Sequence, residues 1–197
     1  MSVASGRERG FIDYLQGFID REDRAPLAML RRGLGKSPWE AAEMHRYILP
    51  FLGDDARRGE EEAYYLVAAL FAWHQRDWHV GEGESVRRHT NFGASFAWLT
   101  RETGSESIEA RFVALLNCQF DDLPEHLRHG VGLLKAHDIP IDWARLLRDL
   151  RQWEWEDRRV QRDWARAYWG ATGTPVAGAG TGGESPPTED SDSAVGV

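Results

Sequence analysis

The stretch LRRGLGKSP, residues 30–38, decides between two folds. Read as a phosphate cradle, its Gly-Lys-Ser trio would place the chain among α/β nucleotide-binding proteins. A phosphate loop needs a glycine five residues before the Gly-Lys pair, after a strand and at the start of a helix. Counting back from Gly35, that position holds Leu30. Pro38 removes a backbone N–H, and the upstream AMLRR is helical rather than strand-like in character. The spacing therefore argues against a nucleotide loop, and the segment reads as a helix end closed by Gly33 and Gly35.

Helical signals recur on both sides of it. RERGFIDYLQGFIDRED places Phe11, Ile12, Leu15, Phe18 and Ile19 on one helical face. PLAMLRRGLG carries Pro26 in a first turn and stops at glycines. SPWEAAEMHRYILPFLG, residues 37–53, opens with Ser37, Pro38 and Glu40 in a capping-box arrangement and is expected to be one helix closed by Pro50 and Gly53. EEEAYYLVAALFAWHQRDW, residues 60–78, is the most apolar segment and the expected central helix. After the polar, glycine-bearing break HVGEGESVRRHTN, with Arg87 and Arg88, come FGASFAWLTRETG, SESIEARFVALLNCQF and DDLPEHLRHGVGLLKAHD. In the final segment, PIDWARLLRDLRQWEWEDRRVQRDWARAYWG, Asp142 caps a helix with the stripe Trp143, Leu146, Leu147, Leu150 and Trp153, followed by a further helix or a continuation through Trp164 and Trp169. The expected fold is all-α, a compact bundle of about eight or nine helices over residues 1–170.

Residues 171–197 differ in kind. They are rich in Gly, Pro, Ser and Thr, hold Glu184, Glu189, Asp190 and Asp192, and contain no basic residue and no aromatic. Such a segment buries too little to offset chain entropy and is expected to be a disordered tail. Its deletion should leave the thermal midpoint unchanged; a marked drop on truncation would contradict this. Of the net charge of −8, the first 170 residues carry only −4, which argues against a strong free-standing nucleic-acid binder while permitting a local basic patch. The one cysteine, Cys118, sits in an apolar run and reads as a small buried hydrophobe. With no apolar run long enough to span a bilayer and no apolar core in MSVASGRERG, the chain is read as cytoplasmic and free of membrane.

No catalytic constellation emerges, and no cofactor is expected. His126 and His129 lie one turn apart but lack further ligands for a metal, and His74 and His79 fall on different helix faces. The 60–62 carboxylates read as a solvated helix N-terminus rather than a Mg²⁺ site. The basic residues are more informative. Arg31, Arg32 and Lys36 flank the glycine break. Arg128 and Lys135 are seven apart, on one face away from Leu127 and Leu134. Arg101 ends a short helix, and Arg111 lies in the next, between Ile108 and Phe112. Arg145, Arg148 and Arg151 precede Arg158, Arg159, Arg162 and Arg166, a last group that is interleaved with Glu154, Glu156, Asp157 and Asp163 and mostly reads as a solvated ion-pair face.

In order along the chain, MLRRGLGK, FGASFAWL, SIEARFVALLN, LPEHLRHGVGLLKAHDIPIDWARLLRDLRQW and VQRDWARAYW resemble CasB, the small subunit of the type I-E CRISPR surveillance complex Cascade. No block alone is specific, but the set spans roughly residues 9–170. The resemblance implies an all-helical, non-catalytic subunit that pairs with a second copy of itself beside the other Cascade subunits. It implies double- and single-stranded DNA as ligands, with CRISPR RNA a further one, held on a basic surface that steadies target DNA and the displaced strand of the R-loop. On this reading Arg31, Arg32, Lys36, Arg101, Arg111, Arg128 and Lys135 form the nucleic-acid surface. Two alternatives stand beside it: a scaffold whose arginines touch protein or guide RNA, and a hydrolase with a scattered site.

Overall fold

A computed structural model describes residues 4–78 and 90–172. The polar break around Arg87 and Arg88, His79, and the tail beyond Thr172 lie outside the described residues. Nine α-helices run through the described residues. They are α1 (Ala4–Asp20), α2 (Arg24–Arg31), α3 (His45–Ile48), α4 (Arg58–Trp73), α5 (Phe92–Thr103), α6 (Glu106–Asn117), α7 (Leu123–Ala136), α8 (Trp143–Leu150) and α9 (Arg159–Thr172). Among the described residues there is no sheet, only one isolated parallel bridge between Asp77 and Ile141. No helix among them is long and apolar enough to cross a membrane.

Helix α4 lies in the middle because its sequence is apolar nearly all round. From Ala63 to Ala72 every residue but Leu66 is buried, and a helix without a polar face must be covered on several sides. It is covered by α2, α8 and α7. The expected helix 60–78 stops at Trp73 because the chain turns extended at His74. Arg76 and Trp78 then exchange hydrogen bonds with Ile141, 3.1 Å each.

Residues 37–53 do not form the one helix expected. Three-ten turns at Pro38–Glu40, Ala42–Met44 and Leu49–Phe51 enclose the single turn of α3. Pro38 and Pro50 each remove a donor, and Ala41 leaves helical geometry at φ −115°, ψ 46°. The break lets Ala41, Met44 and Ile48 all reach the core. The Ser37–Glu40 capping pair does form: the Glu40 carboxylate accepts from the Ser37 N–H at 3.0 Å.

The second half is organised by α5 against α9, the most extensive helix pair. Asn91 caps α5, its Oδ1 accepting from Ala94 N at 3.1 Å, while its Nδ2 donates to the Asp163 carbonyl of α9 at 3.1 Å. Gly93 brings the two backbones together: a Cβ there would lie 2.1 Å from the Trp164 carbonyl oxygen. Aromatic rings fill the remainder, with Phe92 on Trp164, Trp153 on Trp164 and Phe112 stacked on Tyr168 at 4.4 Å. Asp142 caps α8 as expected, through Arg145 N at 2.9 Å. The helix then ends, and α9 starts anew after Arg158 takes a left-handed φ of 47°.

Several charges are engaged in packing. Glu60, an expected member of a solvated N-terminus, pairs with Arg7 and Arg151. Arg151 also pairs with Glu8, which is 1% exposed. Arg145 pairs with Asp149 at 2.8 Å, and Asp149 also accepts from Trp164 Nε1 at 2.7 Å. These arginines are enclosed because α1, α4, α8 and α9 converge there, and each buried carboxylate needs a cation. Cys118 is partly buried, and burial pushes its thiol up to about 11.

Candidate nucleic-acid interface

LRRGLGKSP is not a phosphate cradle. The N–H groups of Gly33, Leu34 and Lys36 donate to the carbonyls of Leu30, Arg31 and Gly33 at 3.0, 3.2 and 3.0 Å, so they cannot wrap an anion. Gly35 has φ 78°, the left-handed region that glycine tolerates. Gly33 is needed for another reason: Met44 Sδ would lie 2.0 Å from a Cβ there.

The cations of this turn meet those of α7 at the C-terminus of α4. The last turn of α4 carries no basic residue of its own, although its free carbonyls and the negative end of the helix dipole favour cations. Neighbouring elements supply them. Arg31 donates from Nε and Nη2 to the Ala72 carbonyl at 3.1 and 2.9 Å. Lys135 Nζ donates to the Trp73 carbonyl at 2.7 Å. Arg128, two turns back along α7, lies beside the turn, with Nη1 3.7 Å from where a Gly35 Cβ would stand. Arg32 and Lys36 are exposed on the same turn, Lys36 paired with Glu43 at 3.2 Å.

Five of the seven expected site residues are thus gathered around α2, α4 and α7. The other two are not tied to them. Arg101 is exposed in the last turn of α5, where the adjacent Glu102 meets His137 at 3.5 Å. Arg111 opens onto the other flank of α7, in a groove with His126 and His129. One cation escaped the sequence reading. Arg76 follows α4 directly and pairs with Asp138 at 3.0 Å, both side chains more than half exposed. A helix ending just before it was the available signal, but the apolar run was expected to continue past Arg76.

His74 lies under this corner. It is buried, and its Nε2 meets the Ile139 carbonyl at 2.7 Å. Burial holds its imidazole below the ordinary range; the Ile139 bond opposes this, and Lys135 and Arg76 add to the depression. The unfolded chain therefore takes up this proton before the folded one does. As pH falls through the ordinary histidine range, near ~6.5, folding should weaken. The thermal midpoint of wild type should drop more between pH 7 and pH 5 than that of His74→Gln. Parallel curves would show that His74 carries no such linkage.

The fold and this corner define a class: a helical bundle with a collar of cations at the end of its central helix. Among the described residues, no three or more His, Cys, Asp or Glu side chains are grouped to hold a metal. Within that class, the chain belongs to the Cse2 family of CRISPR-associated proteins, whose sequence profile matches residues 26–169. It is 38% identical over 163 residues to CRISPR-associated protein Cse2 of Thermus thermophilus, covering 82% of this chain and 89% of that protein. The crystal structure of CasB from M. ruber is similar with a TM-score of 0.69 at 34% identity, over 85% of this chain and 94% of that one. A chain of a CRISPR RNA-guided surveillance complex is similar with a TM-score of 0.72 at 28% identity, over 86% and 95%.

Proposed function

We propose that the chain is a non-catalytic subunit of a CRISPR RNA-guided surveillance complex of the Cascade type, and that its cationic corner holds phosphates of the target DNA and the displaced strand. The family and the likeness to a chain of such a complex support the first part. One observation carries the second: Arg31, Arg32, Lys36, Arg128 and Lys135, far apart in sequence, meet around the end of one helix. Such a corner acts electrostatically. Arginine and lysine neutralise phosphates and release counterions with little base preference, while guide pairing reads the sequence. An acidic body makes the isolated subunit a weak binder, and assembly raises the effective concentration of DNA at the corner.

The scaffold reading has its own observation. Arg31 and Lys135 are already engaged on α4 carbonyls, and Lys36 on Glu43. Among the described residues Arg32 and Arg128 pair with no carboxylate, which makes them the sharper probes. Arg32→Ala with Arg128→Ala should weaken DNA binding by the assembled complex alike for all sequences. It should also flatten the salt dependence by about one unit of log–log slope for each phosphate left without its cation. Equal affinity and equal slope, with assembly retained, would favour the scaffold.

A further inference from the structure

We propose that the groove between α5, α6 and α7 is a second nucleic-acid site, which takes one phosphodiester of a single strand on Arg111, His126 and His129. This rests on the reading of the chain as a nucleic-acid-binding subunit and extends it to the opposite flank of α7. The groove encloses about 190 Å³, smaller than the pocket of a drug-sized ligand. Phe96, Ala114, Leu115, Gly130 and Leu133 line it apolarly, and its three polar side chains are one guanidinium and two imidazoles. Among the described residues no carboxylate lines it. Neither imidazole forms an ion pair with Glu125, which stands one turn from His129 on the exposed ridge of α7; α5 presents only Phe96. Arg111 likewise makes no ion pair among the described residues.

The occupant follows from charge and position. A site with a guanidinium and two imidazoles, no carboxylate, and an apolar floor fits an anion attached to a flat apolar group, which describes a nucleotide in a strand. Residues 126, 129, 130 and 133 share one helical flank, and 128 and 135 share the other. Arg128 and His129 are consecutive, so a strand on the cationic corner reaches the groove by crossing α7. That crossing is about one helix diameter, ~10 Å, or roughly three stacked nucleotides at ~3.4 Å each. A duplex cannot bend over one helix so tightly, since its persistence length is ~150 base pairs.

The test is a titration of the full chain with oligothymidylate and oligouridylate twelve-mers, followed by NMR and by affinity. The ring resonances of His126 and His129 should shift with at least one of them, and the tighter-binding one identifies the displaced DNA strand or the guide RNA as the source. His126→Gln with His129→Gln should weaken binding of the tighter oligonucleotide about tenfold with helicity retained. Arg111→Ala should remove the imidazole shifts with helicity retained. If only resonances near Arg32 and Arg128 respond, the corner stands and the groove proposal falls. If nothing responds at millimolar oligonucleotide, both fall. Larger imidazole shifts with an oligoglutamate peptide than with either oligonucleotide would make the groove a protein-docking site and overturn the proposal.

Discussion

Gly93→Ala should lower the thermal midpoint by roughly 6–12 °C, the largest effect expected of any single methyl group in this chain. A Cβ at residue 93 would sit 2.1 Å from the Trp164 carbonyl oxygen, 2.7 Å from its carbonyl carbon and 2.8 Å from its Cα. All three are backbone atoms of α9, so no side chain can swing away. Relief requires α5 and α9 to separate, which would loosen the Phe92–Trp164 contact and the Asn91–Asp163 hydrogen bond together. Overpacking of this kind costs about 3 kcal/mol at its upper end, a large share of the ~5–15 kcal/mol that holds a domain. Gly10→Ala is the internal control. Gly10 is exposed in α1, and nothing lies within 4 Å of an added Cβ. That substitution should stabilise by about 0.5–1 kcal/mol through helix propensity. Similar midpoints for the two variants would mean that α5 and α9 are not in backbone contact.

Arg151→Ala should cost about 3–5 kcal/mol, by stranding charge rather than by losing attraction. Arg151 joins Glu8 of α1 to Glu60 of α4, pairing with the latter at 2.7 Å. Glu8 is 1% exposed and Glu60's side chain 18% exposed. Without the guanidinium, Glu8 is left with no cation among the described residues, and Glu60 keeps Arg7 at 3.4 Å. Combining Arg151→Ala with Glu8→Leu should restore most of the loss, because the buried carboxylate is gone as well. Urea midpoints of the two single variants and the double would decide it. Additive losses would show that the pair acts through packing alone.

The helices themselves were largely legible from spacing. Phe11, Ile12, Leu15 and Phe18 are buried on one face of α1, and Trp143, Leu146, Leu147, Leu150 and Trp153 are all buried as their stripe required. Residues 37–53 were not legible, because periodicity survives in a chain that bends at Ala41 to bring the same apolar residues inward. The fate of charges was least legible. Arg151 and Arg162 look alike in sequence, yet one holds two carboxylates and the other is exposed. That difference arises from which helix ends converge, a long-range fact that local spacing does not encode. For the same reason Arg31 and Lys135 were read as cations for a ligand, and neither could be read as a cap for a helix 41 or 62 residues away.

Trp78 and Thr90, the described residues on either side of positions 79–89, are tied to adjacent residues. Trp78 N is bonded to the Ile141 carbonyl at 3.1 Å, and Thr90 Oγ1 donates to Asp142 at 2.9 Å. Ile141 and Asp142 are adjacent, so the start of α8 fixes the distance between Trp78 and Thr90 independently of the residues that join them. Lengthening a connection between two fixed anchors costs little: each doubling adds about 0.6 kcal/mol of closure entropy. The bundle therefore offers a place where an inserted peptide, or a whole small domain with neighbouring termini, leaves the packing of α4 and α5 undisturbed.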